Sequence, residues 1–61
     1  MATVWFRSNT EQEWRTTMNW RSLPKHKAHE IADRYNQKYD SMYWVTEIGK
    51  PETDKVPKGK E

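Results

Sequence analysis

The 61-residue chain reads as an α+β unit of order strand, strand, helix, strand (β-β-α-β): a three-stranded, mainly antiparallel sheet with one helix packed on one face. Three observations predict it. Residues 13–20 alternate, with Trp14, Thr16, Met18 and Trp20 on one side and Arg15, Thr17 and Asn19 on the other, the two-residue repeat of a strand. Between Pro24 and Tyr39 the apolar positions follow the helical repeat instead. From Met42 to Ile48 the alternation returns.

Taken in order, residues 3–7 (TVWFR) are β-branched and aromatic and precede the polar cluster SNTEQ, so they read as a strand followed by a turn. Residues 13–20 pair with this strand in a hairpin, across a loop of about five residues. A helix there would set Trp14 and Trp20 about 240° apart. Ser22 is the expected N-cap of the next element, and Pro24 falls in its first turn, where a missing backbone N–H costs least. Pro24, Ala28, Ile31, Ala32, Tyr35 and Tyr39 then lie within about 100° of one another on a helical wheel. That helix is expected to stop near Asp40 and Ser41. In the last strand Met42, Trp44, Thr46 and Ile48 alternate with Tyr43, Val45 and Glu47, and Gly49 ends it.

A right-handed crossover makes the last strand parallel to the second, so it can pair antiparallel with the first and leave TVWFR in the centre. The alternative places the last strand beside the second, in parallel. Residues 1–49 form the single domain. Residues 50–61, KPETDKVPKGKE, hold two prolines, a glycine and one aliphatic side chain, too little apolar surface to offset the entropy of ordering them, and read as a disordered charged tail.

A chain this short hides only about 60% of the surface its unfolded form exposes. Without cysteine it has no disulfide or thiolate zinc site to staple it. Packing must therefore rest on four Trp, three Tyr and one Phe, each able to bury roughly 150–250 Å². The stretch MATVWFRS is not a signal peptide, and no run approaches the roughly 20 apolar residues of a membrane span, so a soluble, cytoplasmic protein with no membrane partner is expected. Residues 1–49 carry seven Lys and Arg against six Asp and Glu, and residues 50–61 four against three. The balance argues against a strongly basic nucleic-acid surface.

One helix covers one sheet face and leaves the other to water or a partner. The large apolar set Val4, Phe6, Trp14, Met18, Trp20, Trp44 and Ile48 is expected beneath the helix, with Trp20 half exposed at the strand end. Trp5, Arg7, Arg15, Thr17, Asn19, Tyr43 and Val45, with Glu47, are then expected on the open face. An indole, a phenol and two guanidiniums on one surface are types enriched in protein interfaces, and Trp5, Arg7, Arg15, Thr17, Asn19, Tyr43 and Val45 form the candidate partner-binding site. The competing reading is that Trp5 and Tyr43 only shield one another across the strands. The edge carrying Arg15, Thr17 and Asn19 also offers free backbone groups for strand addition or for a homodimer.

Lys25, His26 and Lys27 at the helix start form a candidate anion-binding group. His26, His29 and Asp33 lack a fourth ligand and read as a solvated helix face, so no metal is assigned. Neither a glycine-rich phosphate loop nor a nucleophile elbow occurs, and no enzyme activity or cofactor is expected.

The order hairpin, helix, last strand (YWVTEI) and polar tail, over residues 3–48, resembles that of small phage-encoded host-inhibitor proteins such as the inhibitors of bacterial RNA polymerase. The resemblance implies action by occupying the surface of a host protein. The expected function is thus a non-enzymatic protein-binding module, a phage or mobile-element factor that inhibits a host protein. The alternative is a small nucleic-acid binder, with the same aromatics on bases and Arg7, Arg15, Lys25 and Lys27 on phosphates.

Overall fold

In the computed structural model, which describes residues 1–57, the stretch TVWFR forms β1 (Thr3–Arg7). It pairs antiparallel with β2 (Met42–Thr46), Val4 opposite Val45, Trp5 opposite Trp44 and Phe6 opposite Tyr43. Helix α1 (Lys25–Lys38) lies between them in the chain and packs on one face. The antiparallel pairing of the first and last strands is as expected, but the sheet has two strands and not three.

The predicted second strand corrects to a segment that runs beside the first strand with two isolated bridges and no continuous ladder. Phe6 and Arg15 exchange backbone hydrogen bonds of 2.8 and 2.9 Å, and Ala2 and Leu23 exchange bonds of 2.7 and 2.8 Å. Between these bridges Met18–Trp20 coils into a 3₁₀ turn, closed by the Trp20 N–H on the Thr17 carbonyl at 3.1 Å. The Thr16 hydroxyl also donates to the Val4 carbonyl at 2.8 Å, occupying an acceptor that a ladder would have used. In a regular strand Trp14 and Trp20 would share a face. The turn breaks that phase and sends the two indoles to opposite sides of the sheet.

Under the helix, Ala2, Val4, Ala28 and Ala32 are buried, with Trp20, Leu23, Ile31, Tyr43 and Val45 packed around them. Two alanines at i and i+4 let the helix backbone approach Val4, which is fully enclosed. The helix starts at Lys25 with Pro24 in the N-cap position and no side-chain cap. Ser22 does not cap it, being held in the left-handed region at φ +56°. After Lys38 the chain turns extended at Tyr39, slightly ahead of the predicted stop. Strand β2 likewise ends at Thr46, leaving Ile48 94% exposed instead of under the helix. Met18, expected in the core, is 88% exposed at the turn.

Residues 51–57, part of the predicted disordered tail, lie on the other sheet face. Pro51 and Pro57 are buried. The Glu52 carbonyl accepts the Trp14 indole N–H at 3.1 Å and the Lys55 carbonyl accepts Arg7 Nη2 at 2.7 Å. An ion pair of Lys50 with Glu13 at 3.6 Å adds a surface tether. The tail lacks apolar surface of its own, but the sheet supplies it, and two prolines lower the entropy lost on docking. Residues 58–61, the rest of that predicted tail, lie outside the described residues. No helix among the described residues is long and apolar enough to cross a membrane.

Candidate functional site

The expected open face is not a single surface. Trp5 and Arg7 do point away from the helix, but Arg7 is 2% exposed beneath the tail, its guanidinium 4.2 Å from the centre of the Trp14 ring. The Trp5 indole is engaged too, donating to Thr46 Oγ1 at 2.8 Å. Tyr43 and Val45 lie on the helix side, because residues directly opposite one another share a face and their partners are Phe6 and Val4. Trp44 takes the tail side in their place. Both alternating sets of the last strand are apolar, so the pattern sets the spacing and leaves the phase open, and a one-residue shift moves every side chain. Arg15, opposite Phe6, likewise belongs to the helix side and not beside Trp5. Thr17 and Asn19 are exposed at the 3₁₀ turn.

What these placements assemble is a groove of about 370 Å³ between the 3₁₀ turn and the C-terminal half of α1, lined by Phe6, Thr17, Asn19, Trp20, Tyr35 and Tyr43. The Trp20 ring meets its neighbours nearly at right angles: Phe6 at 5.7 Å and 88°, Tyr35 at 5.3 Å and 81°, Tyr43 at 5.8 Å and 71°. Tyr35 continues the cluster to Tyr43 at 5.2 Å and to Tyr39 at 5.3 Å. Edge-to-face pairs of this kind contribute about 0.5–1.5 kcal/mol each beyond burial, which holds the wall rigid. Burial raises the Tyr43 phenol above its ordinary value; the Ser41 hydrogen bond opposes the rise, while Tyr39 and Tyr35 reinforce it.

The groove keeps unspent polar capacity. Trp5 and Trp14 have given their indole N–H groups to Thr46 and Glu52, whereas the Trp20 N–H and the Asn19 amide have no hydrogen-bond partner among the described residues. Three cations adjoin its lining residues in register or along the chain. Arg15 shares the face of Phe6, Arg21 follows Trp20, and Lys38 lies one turn after Tyr35 with its ammonium 5.5 Å over the Tyr39 ring. None of the three is ion-paired among the described residues. Sequence reasoning assigned Phe6, Trp20 and Tyr35 to the core. The available signal was an excess of rings over what a single helix of fourteen residues can roof.

The remaining candidates are weaker. A hollow of about 210 Å³ lies between α1 and the outer edge of β2, with His29, Asp33, Trp44 and Pro57 in its lining. That edge is already clamped: the Asn36 amide donates to the Tyr43 carbonyl and accepts the Tyr43 N–H, both at 2.9 Å. The opposite edge, expected to accept an added strand or a second copy through Arg15, Thr17 and Asn19, has no continuous ladder because the 3₁₀ turn interrupts it. Lys25, His26 and Lys27 are exposed in the first turn of α1, where Lys25 lies 3.6 Å from Glu47. No group of three or more metal-ligating side chains occurs among the described residues.

Fold and site together define a small α+β domain, one helix on a two-stranded antiparallel sheet, with an aromatic groove at one end of the helix. Compared with known proteins, the chain matches no family model, no curated protein and no solved structure.

Proposed function

We propose that the chain is a non-enzymatic protein-binding module whose partner sits in the groove beside the 3₁₀ turn. The observation that carries this reading is Trp20: a half-buried indole braced by three perpendicular rings, with its N–H unpaired among the described residues. Large, rigid, amphipathic side chains of this kind dominate protein interfaces because they bury area at little entropic cost and still direct hydrogen bonds. The groove lining offers phenols, an amide and a hydroxyl but no carboxylate, imidazole or thiol. With the Tyr43 phenol displaced upward, that chemistry suits holding a partner and not proton transfer near neutral pH. In a phage or mobile element such a module would block a host protein by occupying its surface. The hairpin behind the likeness to phage inhibitors is not formed, so the proposal rests on the groove alone.

Affinity capture from cells of the source organism tests it, comparing the native chain with a Thr17→Glu/Asn19→Glu double variant. Both positions are exposed, so the fold should survive. A partner protein retained by the native chain and lost by the variant is the expected result. Equal retention by both would remove the groove from consideration.

A further inference from the structure

We infer that the groove takes an acidic, proline-containing peptide segment in the extended polyproline conformation. This rests on the protein-binding reading and names the partner's chemistry. The first argument is shape. Rings set at 71–88° to one another present alternating faces and edges, hence slots between ridges and not one flat platform. A polyproline helix, with three residues per turn and a rise of about 3.1 Å, presents pyrrolidine ridges that suit such slots. The volume of about 370 Å³ fits a short segment and lies at the low end of the roughly 300–1,000 Å³ of ligand sites.

The second argument is hydrogen bonding. A polyproline segment makes no internal hydrogen bonds, so its carbonyls need donors, and two lining residues, Trp20 and Asn19, carry side-chain N–H groups with no partner among the described residues. The opposite face shows the same chemistry satisfied within the chain. There the Trp14 indole donates to the carbonyl of Glu52, next to buried Pro51, in a segment that also carries buried Pro57.

Charge complementarity sets the third term. Arg15 lies opposite Phe6, Arg21 next to Trp20 and Lys38 one turn after Tyr35, all without ion-pair partners among the described residues, and Asp40 is the carboxylate that follows Tyr39 at that end of α1. Glutamate or aspartate flanking the prolines would supply the missing counter-charge. A single-stranded nucleic acid would also meet the cations, but it calls for flat stacking platforms and a strongly basic track, and the whole chain is only +2.

Fluorescence anisotropy with a labelled peptide of three Glu-Pro-Pro repeats tests the inference. Comparison probes are a Glu-Ser-Ser repeat, an Arg-Pro-Pro repeat and an oligothymidine of equal length. The acidic proline peptide should bind at least about tenfold tighter than each comparison probe. Trp20→Phe, which keeps a ring and deletes the N–H, should weaken it about fivefold, the worth of one ordinary hydrogen bond. Arg15→Glu/Arg21→Glu should weaken it by about tenfold or more, while Lys25→Glu at the far end of the helix should leave it unchanged. Should Trp20→Phe unfold, the exposed Asn19→Ala replaces it with the same expectation. Equal affinity for the serine peptide, preference for the arginine peptide or the oligonucleotide, absence of binding, or insensitivity to the Arg15 and Arg21 changes would each overturn the inference. If the peptide fails while groove-dependent protein capture persists, the peptide class is wrong and the binding-module reading stands. Loss of both sinks both.

Discussion

Arg7 is a charged side chain enclosed by the fold with no ion-pair partner among the described residues. Its guanidinium rests on the Trp14 ring and donates to the carbonyls of Gln12 at 3.2 Å and Lys55 at 2.7 Å, while Nε has no partner among the described residues. Two charge-assisted bonds outweigh one unpaired nitrogen, so Arg7→Leu should destabilise the domain by about 1–3 kcal/mol and free the tail. Limited proteolysis should then cut within residues 50–57, and an unchanged cleavage pattern would show that the guanidinium does not hold the tail. Tyr43 carries a pH prediction. Its folded pKa is raised, so the neutral phenol is the form the fold favours. The associated stability is complete below the ordinary phenol value of about 10 and is lost as pH climbs through the raised one. In a denaturation series from pH 9 upward the native chain should therefore lose stability faster than Tyr43→Phe, and parallel curves would contradict the assignment.

Among the elements, β1, α1 and β2 were legible because each carries an unambiguous repeat: β-branched and aromatic residues in TVWFR, alanines four apart in the helix, renewed alternation after Asp40. The second strand was not. Its alternation is as regular as that of β2, yet Thr16 bonds the Val4 carbonyl and the 3₁₀ turn parts the two indoles, outcomes that depend on where β1 lies. Asn36 was also invisible as a functional part of β2, reading only as a polar helix residue, although it pairs the Tyr43 backbone much as a neighbouring strand would. Asn36→Ala should cost about 1–3 kcal/mol by leaving both backbone groups without that clamp. It also opens an edge for pairing between copies, so sedimentation at rising concentration should reveal more self-association than in the native chain. A variant that stays as stable as the native chain and associates no more than it does would refute the clamp.

At the scale of the whole molecule, the tail completes a second small core around Arg7, Trp14 and Met42, on the face that a single helix cannot reach. Ending the chain after Gly49 should expose Trp14, shift indole emission to the red and lower the melting temperature, whereas an unchanged spectrum would mean the tail only rests on the surface. Of the candidate site, the sequence marked Arg15, Thr17, Asn19 and Tyr43 as residues of interest, but it grouped them with Trp5 and Arg7, which the fold places across the sheet. By itself the sequence determined the α+β class and the helix with its buried Ala28 and Ala32, because these follow from local repeats, and it offered the antiparallel pairing of first and last strands as one of two arrangements that chain connectivity allows. Tertiary structure alone decided which side of β2 faces the helix, that Trp14 and Trp20 part company, and that residues 51–57 lie down. A two-residue repeat is unchanged by exchanging faces when both are apolar, so only the register against β1 and the competition of helix and tail for the two surfaces could break that symmetry.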